Sequence, residues 1–242
     1  LIAAADIVFH DALVGPGVLE LIPARAEQVS VGKRSGRHSK DQATIDALIV
    51  AAALADKRVA RLKGGDPAVF ARSAEEMDAC RAAGIPVRIC PGITAASAAA
   101  ASAATSLTLR GSARRLTFVT AHAKAGAPLD IDFAALADPD ATLAVYMGRA
   151  AAASIGRQLV AAGRDPATAV LVVVNASLPD ERIIRGRLSA LAFLVETISD
   201  SDPTILLIGE AVRQPAIPPK AALLPSADPT FDDPEYITAE HN

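Results

Sequence analysis

The residues Gly64-Gly65-Asp66-Pro67 follow a short extended run, Val59 to Lys63, and precede a helix-like one. Two adjacent glycines let the backbone turn sharply and let a ligand approach the main chain. Asp66 adds a carboxylate, and Pro67 suits the first position of a helix. Such a loop can hold a polar small molecule, or it can be a plain connection. Three other loops share its setting. Asp11 follows the extended run Ile7 to Phe9; the plain reading of a carboxylate there is a turn or N-cap aspartate. The segment 33–40 carries Lys33, Arg34, Arg37 and Lys40 with His38, in a protein of formal net charge −3. It is either a solvated basic loop or a seat for a polyanion, and Arg110, Arg114 and Arg115 could add to its field. Pro91-Gly92-Ile93-Thr94-Ala95 opens a helix, with free N–H groups and small side chains that leave room for a ligand.

These loops need strands and helices to hold them. Extended runs are expected at Ile7–Phe9, Gln28–Val31, Val59–Lys63 and Val87–Cys90 in the first half. The second half adds Leu116–Thr120, Thr142–Met147, Ala169–Asn175 and Thr204–Ile208. Ser39 with Gln42, and Ser73 with Glu76, have the spacing of capping boxes. Ile45, Leu48, Ile49 and Ala52 recur on one helical face, and Gly84 should stop the helix begun at Ser73. Further helices are expected over Ala95–Ala104, Arg149–Ala162 and Leu188–Ile198. Alternating strand and helix implies an α/β fold with mostly parallel sheets, and ligands of such sheets sit beyond the carboxyl ends of the strands. The arginine-bearing stretch Arg110–Arg115 is the expected hinge between two domains, residues 1–111 and 112–213. From Gln214 onward six prolines and five acidic residues predict a disordered or loosely attached tail over residues 214–242.

Composition narrows the function. Of 242 residues, 51% are hydrophobic and 21% charged, as in ordinary globular proteins. Aromatic residues are 3% and Trp is absent, which provides poorly for stacking on nucleobases. The acidic balance also argues against nucleic acid as partner. No apolar run is long enough to span a bilayer, and no signal peptide is visible. Cys80 and Cys90 fit no metal spacing and are expected as buried small hydrophobes in a reducing cytoplasm. The four histidines are scattered, so no metal site is expected. The chain opens abruptly on the end of a helix and a strand, and a preceding segment is expected.

VGKRSGRHS, RLKGGDPAVF, PGITAAS and VYMG, in this order and spacing, resemble the uroporphyrinogen-III C-methyltransferases of the tetrapyrrole methylase family. The likeness runs from about Ala3 to Arg213. It implies two α/β domains with the active site in the cleft between them, in a cytoplasmic homodimer without a metal. It implies S-adenosylmethionine as methyl donor and uroporphyrinogen III, a macrocycle with eight carboxylates, as substrate. Carbons two and seven would be methylated, giving precorrin-2 through precorrin-1. Gly64, Gly65, Asp66, Val69, Thr94, Ala95 and Met147 match donor-binding positions. Ala176 falls where the family commonly has glycine. Asp11 matches the proposed proton acceptor and Lys33 the proposed proton donor, although Lys33 could equally anchor a carboxylate. Arg34, Arg37, His38 and Arg110 supply the basic surface for the substrate.

Some positions depart from the family pattern. Its opening strand and Gly-x-Gly-Pro-Gly-Asp-Pro loop are absent, so this chain alone is expected to be weakly active and its longer parent active. Leu109 stands where a histidine is usual and cannot donate a proton. Ala104-Thr105-Ser106 replaces Gly-Ile-Pro, and Ser112 replaces a tyrosine. Two alternatives stand beside the main reading. One is a methylase of a later corrinoid precursor; the other is a non-catalytic donor-binding remnant.

Overall fold

The computed structural model describes residues 1–32, 41–121 and 130–213. Two sheets carry the chain. The first is built from β1 (Ile7–His10), then α1 (Pro16–Leu19), β2 (Glu27–Ser30), α2 (Gln42–Leu54) and β3 (Val59–Leu62). Two helices follow, α3 (Ser73–Ala82) and α4 (Ala95–Ser102). The three strands are parallel in the order β2-β1-β3, with Ile7 opposite both Glu27 and Val59. Central β1 is covered on both faces. Its alternation sends Ile7 and Phe9 to one side, against Ile45 and Ile49 of α2 and Cys80 of α3. Val8 goes to the other, against Ile22, Ala26 and Leu19.

The second sheet uses β4 (Arg115–Thr120), β5 (Ala141–Tyr146), β6 (Ala169–Val174), β7 (Arg182–Arg187) and β8 (Thr204–Ile208). Between them lie α5 (Phe133–Leu136), α6 (Ala152–Ala161) and α7 (Leu191–Leu194). The order is β4-β5-β8-β6-β7. Here the expectation of mostly parallel strands needs correcting. Only β4 and β5 run parallel; β8 is antiparallel to β5 and β6, and β7 to β6. Strand β7 follows β6 through a short turn, so it must run back beside it. It escapes the hydrophobic pattern because it reads RIIRGR. Leu143, Val145, Val172 and Leu206 face α6 and α7. Ala144, Leu171, Val173 and Leu207 face the alanines of α4, whose small side chains let helix and sheet approach closely.

Other differences have local causes. Val87–Cys90 forms no strand: it joins no ladder among the described residues, and Val87 and Ile89 are exposed. Cys90 is therefore exposed and only Cys80 buried, where burial raises the thiol pKa. One rapidly reacting thiol is expected in the native protein and a second only on unfolding, as counted with a chromogenic thiol reagent; two at once would contradict it. The helix expected over Leu188–Ile198 shrinks to a 3₁₀ turn, Leu188–Ala190, and α7. Val195, Thr197 and Ile198 are β-branched and lose χ1 freedom in a helix. Short α1 and α5 fall below what periodicity reveals. Ser39 lies outside the described residues, and α2 is capped instead by Asp41, whose side chain accepts from the Thr44 N–H. The tail 214–242 also lies outside them. No helix among the described residues is long and apolar enough to cross a membrane.

Candidate active site

The carboxyl ends of β1 and β3 bring the loops at Asp11 and Gly64 together, as the register of a parallel pair requires. A Cβ at Gly64 would lie 2.6 Å from the Leu13 Cβ, so this glycine lets the Asp11–Leu13 loop close on its neighbour. Gly65 makes the turn itself, at φ 81°. Asp66 binds inward: its carboxylate accepts from the Ala68 N–H at 2.7 Å and the Gly92 N–H at 3.3 Å. It thus ties the Pro91-Gly92 loop to the glycine turn. A Cβ on Gly92 would come within 2.5 Å of the Gly65 carbonyl oxygen. Gly92→Ala is therefore expected to cost about 1–3 kcal/mol, read as a lowered Tm; an unchanged Tm would show that the two loops do not pack this way.

Tyr146 gathers the remaining elements. Its hydroxyl accepts from the Ala96 N–H at 3.3 Å, in the first turn of α4. Its ring stands 5.0 Å from that of Phe70 and 5.6 Å from that of Phe118. Thr94 is the N-cap of α4, its hydroxyl accepting from the Ser97 N–H. Met147 follows β5 at φ 54° and is half exposed. Ala176, like Tyr146, packs against the core cluster that holds Ala96 and Ala99, and it stands between Asn175 and Ser177, both at positive φ. Backbone outliers of this kind concentrate at ligand clamps. Val69 donates its N–H to the Asp66 carbonyl. Seven of the eight donor-site candidates (Gly64, Gly65, Asp66, Val69, Thr94, Ala95 and Met147) thus lie on three loops that touch through Asp66, Gly92 and Tyr146.

Asp11 sits in a buried ion network. Arg61 of β3 donates from Nη2 to Asp11 Oδ1 at 2.5 Å, from Nη1 to the Leu62 carbonyl at 2.7 Å, and from Nε to Glu76 Oε1 at 3.0 Å. Lys63 donates to both Glu76 oxygens, at 2.8 and 2.9 Å. The Ser73–Glu76 capping box does not form. Ser73 donates its hydroxyl to the Pro67 carbonyl at 2.5 Å, and Arg72 takes the N-cap at φ 57°. Glu76 turns inward because two buried cations there need its charge. Arg72 pairs with Glu75 at 2.8 and 2.7 Å, which holds the Glu75 carboxyl below its usual range. Arg61, Lys63 and Glu76 were not among the expected site residues. Their signal was two cations at alternate positions of an apolar strand, which share one face.

Lys33, Arg34, Arg37 and His38 lie outside the described residues. Gly32, just before them, packs against the Asp11–Ala12 backbone so tightly that no Cβ fits. Arg110 is exposed on the turn closed by Leu109 and Ala113, and has no hydrogen bond or ion pair among the described residues. A concavity of about 230 Å³ runs between Ala12–Leu19 and Leu178–Asp180, beside the Asp11 loop. Among the described residues no group of three acidic, His or Cys side chains is placed to hold a metal.

Comparison with known proteins gives this arrangement its context. The chain is 44% identical over 209 residues to the uroporphyrinogen-III C-methyltransferase of Paracoccus denitrificans, covering 86% of this chain and 73% of that protein. It is 44% identical over 212 residues to siroheme synthase 1 of Yersinia enterocolitica, covering 88% of this chain but only 44% of that protein. The chain thus spans less than half the length of that synthase. The crystal structure of uroporphyrin-III C-methyl transferase from Thermus thermophilus, complexed with S-adenyl homocysteine, superposes with a TM-score of 0.72 at 36% identity. The match covers 88% of this chain and 89% of that one. The family profile of the Tetrapyrrole (Corrin/Porphyrin) Methylases covers residues 1–192, and with them both sheets' share of the loop cluster. The chain belongs to the tetrapyrrole methylases.

Proposed function

We propose that this protein transfers methyl groups from S-adenosylmethionine to uroporphyrinogen III, at carbons two and seven, giving precorrin-2 through precorrin-1. The observation that carries it is the convergence of the glycine turn, the Thr94–Ala95 helix start and Met147 beside a partly exposed carboxylate, Asp11. The donor loops suit a nucleoside-bearing ligand: Ile93 and Met147 offer exposed apolar surface beside the glycine turn. Residues 1–111 and 112–213 would form two domains with the site in the cleft between them. The reading carries with it a cytoplasmic homodimer that needs no metal.

In each transfer an electron pair of a pyrrole carbon forms the new C–CH₃ bond, and the S–CH₃ pair passes to sulfur, releasing S-adenosylhomocysteine. The methylated ring is left cationic and regains neutrality by losing one proton. Asp11 takes that proton. The protein's other tasks are alignment and exclusion of water. With ¹³C-methyl donor, two labelled methyls on saturated ring carbons are expected by NMR; label on oxygen or on a single carbon would overturn the proposal.

Lys33 is assigned to hold a substrate carboxylate, as are Arg34, Arg37, His38 and Arg110. Removing one charge-assisted hydrogen bond costs about 1.5–3 kcal/mol. Lys33→Ala should therefore raise substrate KM about tenfold or more with kcat kept. A fall in kcat at constant KM would instead make Lys33 the proton donor.

A further inference from the structure

We infer that Arg61 is the positioning residue for Asp11, and that Glu76 sets Arg61 and the Gly64–Gly65 turn in one rigid frame; the inference rests on the proposed proton-accepting role of Asp11. Each of the three guanidinium nitrogens donates one hydrogen bond, to Asp11, the Leu62 carbonyl and Glu76. The same Leu62 carbonyl accepts the Asp11 N–H at 3.1 Å. Asp11 is thus tied to β3 by backbone and side chain together. Its Oδ1 is engaged by Arg61, while Oδ2 takes no hydrogen bond from the described residues. The side chain retains 28% exposure against 14% for Arg61. One oxygen is anchored, and the side chain keeps enough exposure to meet a proton.

Glu76 extends the frame. It is buried, and it receives Arg61 on one side and Lys63 on the other. Lys63 leads directly into Gly64, where the donor turn begins. The four side chains Asp11, Glu76, Arg61 and Lys63 balance in formal charge. A pair serving stability alone would be replaceable by apolar contacts, and would not need to hold a partly exposed carboxylate at the strand end that faces the site. Removal of Arg61 leaves Glu76 paired with Lys63, whereas Asp11 loses its one side-chain partner among the described residues. Arg61→Met is therefore a selective probe.

The test compares Arg61→Met, Arg61→Lys, Asp11→Asn and the double variant Asp11→Asn/Arg61→Met in the full protein. Misplacing a reacting group by about 1 Å can cost ~10²-fold, so Arg61→Met should lower kcat by about that factor. S-adenosylhomocysteine affinity should stay at the wild-type value, which also reports an intact fold. Arg61→Lys, keeping the charge but not the fork, should recover part of the loss. The double variant should be no slower than the slower single variant. Wild-type kcat in Arg61→Met, or losses that multiply in the double variant, would overturn the inference. A crystal structure of Arg61→Met decides the matter even if the wild type transfers no methyl. The Asp11 carboxylate leaving its place is expected, and an unmoved carboxylate would overturn the positioning role. Wild-type turnover judges the proposed reaction; the variants judge Arg61.

Discussion

Asp11→Asn is expected to lower kcat by about 10²–10⁴-fold, the usual contribution of a positioned proton acceptor, with little change in donor KM. The substitution keeps size and shape but removes the basic oxygen. The carboxylate stands at the end of β1, and Gly32, Gly64 and Leu13 crowd its loop from two sides. The backbone that carries residue 11 is therefore expected to stay in place in the variant. The asparagine amide would also set an N–H₂ or a weaker acceptor against the Arg61 guanidinium, where the native contact is 2.5 Å. Both effects act on the chemical step. Steady-state release of S-adenosylhomocysteine measures the outcome. Turnover at the wild-type rate would mean that solvent or another group takes the proton.

Glu76→Ala should produce the largest loss of stability, about 3–5 kcal/mol, the cost of breaking a buried ion cluster on one side. Arg61 and Lys63 have 14% and 7% of their side-chain surface exposed, and without Glu76 Lys63 loses its ion-pair partner among the described residues while Arg61 keeps only Asp11. Helix α3 loses its polar attachment to β3, and the glycine turn after Lys63 loses its anchor. Chemical denaturation reads the effect as a lowered midpoint at constant slope. A shift below about 1 kcal/mol would show the cluster to be screened like a surface pair.

Much of this architecture is legible from local pattern. The strands β1, β3, β5, β6 and β8 announce themselves as short apolar runs, and Gly84 and Gly163 stop helices at positive φ. What escapes the pattern depends on partners distant in sequence. Val87–Cys90 has strand composition but no neighbour to pair with; β7 has a strand's neighbour, β6, without its composition. Glu76 has the spacing of a cap and is claimed by cations 13 and 15 residues away. The candidate site divides the same way. The glycines and Met147 are visible because their backbone constraints are local. Asp66 reads as a ligand carboxylate, and only the fold shows that its side chain also joins two loops. Arg61 reads as one more charged residue until the register of β1 and β3 places it against Asp11.

The central claim is that these loops hold a methyl donor against a tetrapyrrole. Its most direct test is the mass of the product after the protein is incubated anaerobically with S-adenosylmethionine and uroporphyrinogen III. A gain of two CH₂ equivalents, one methyl added and one proton lost at each transfer, is predicted, with two S-adenosylhomocysteines released. An unchanged macrocycle, with S-adenosylhomocysteine still bound by the protein, would contradict it.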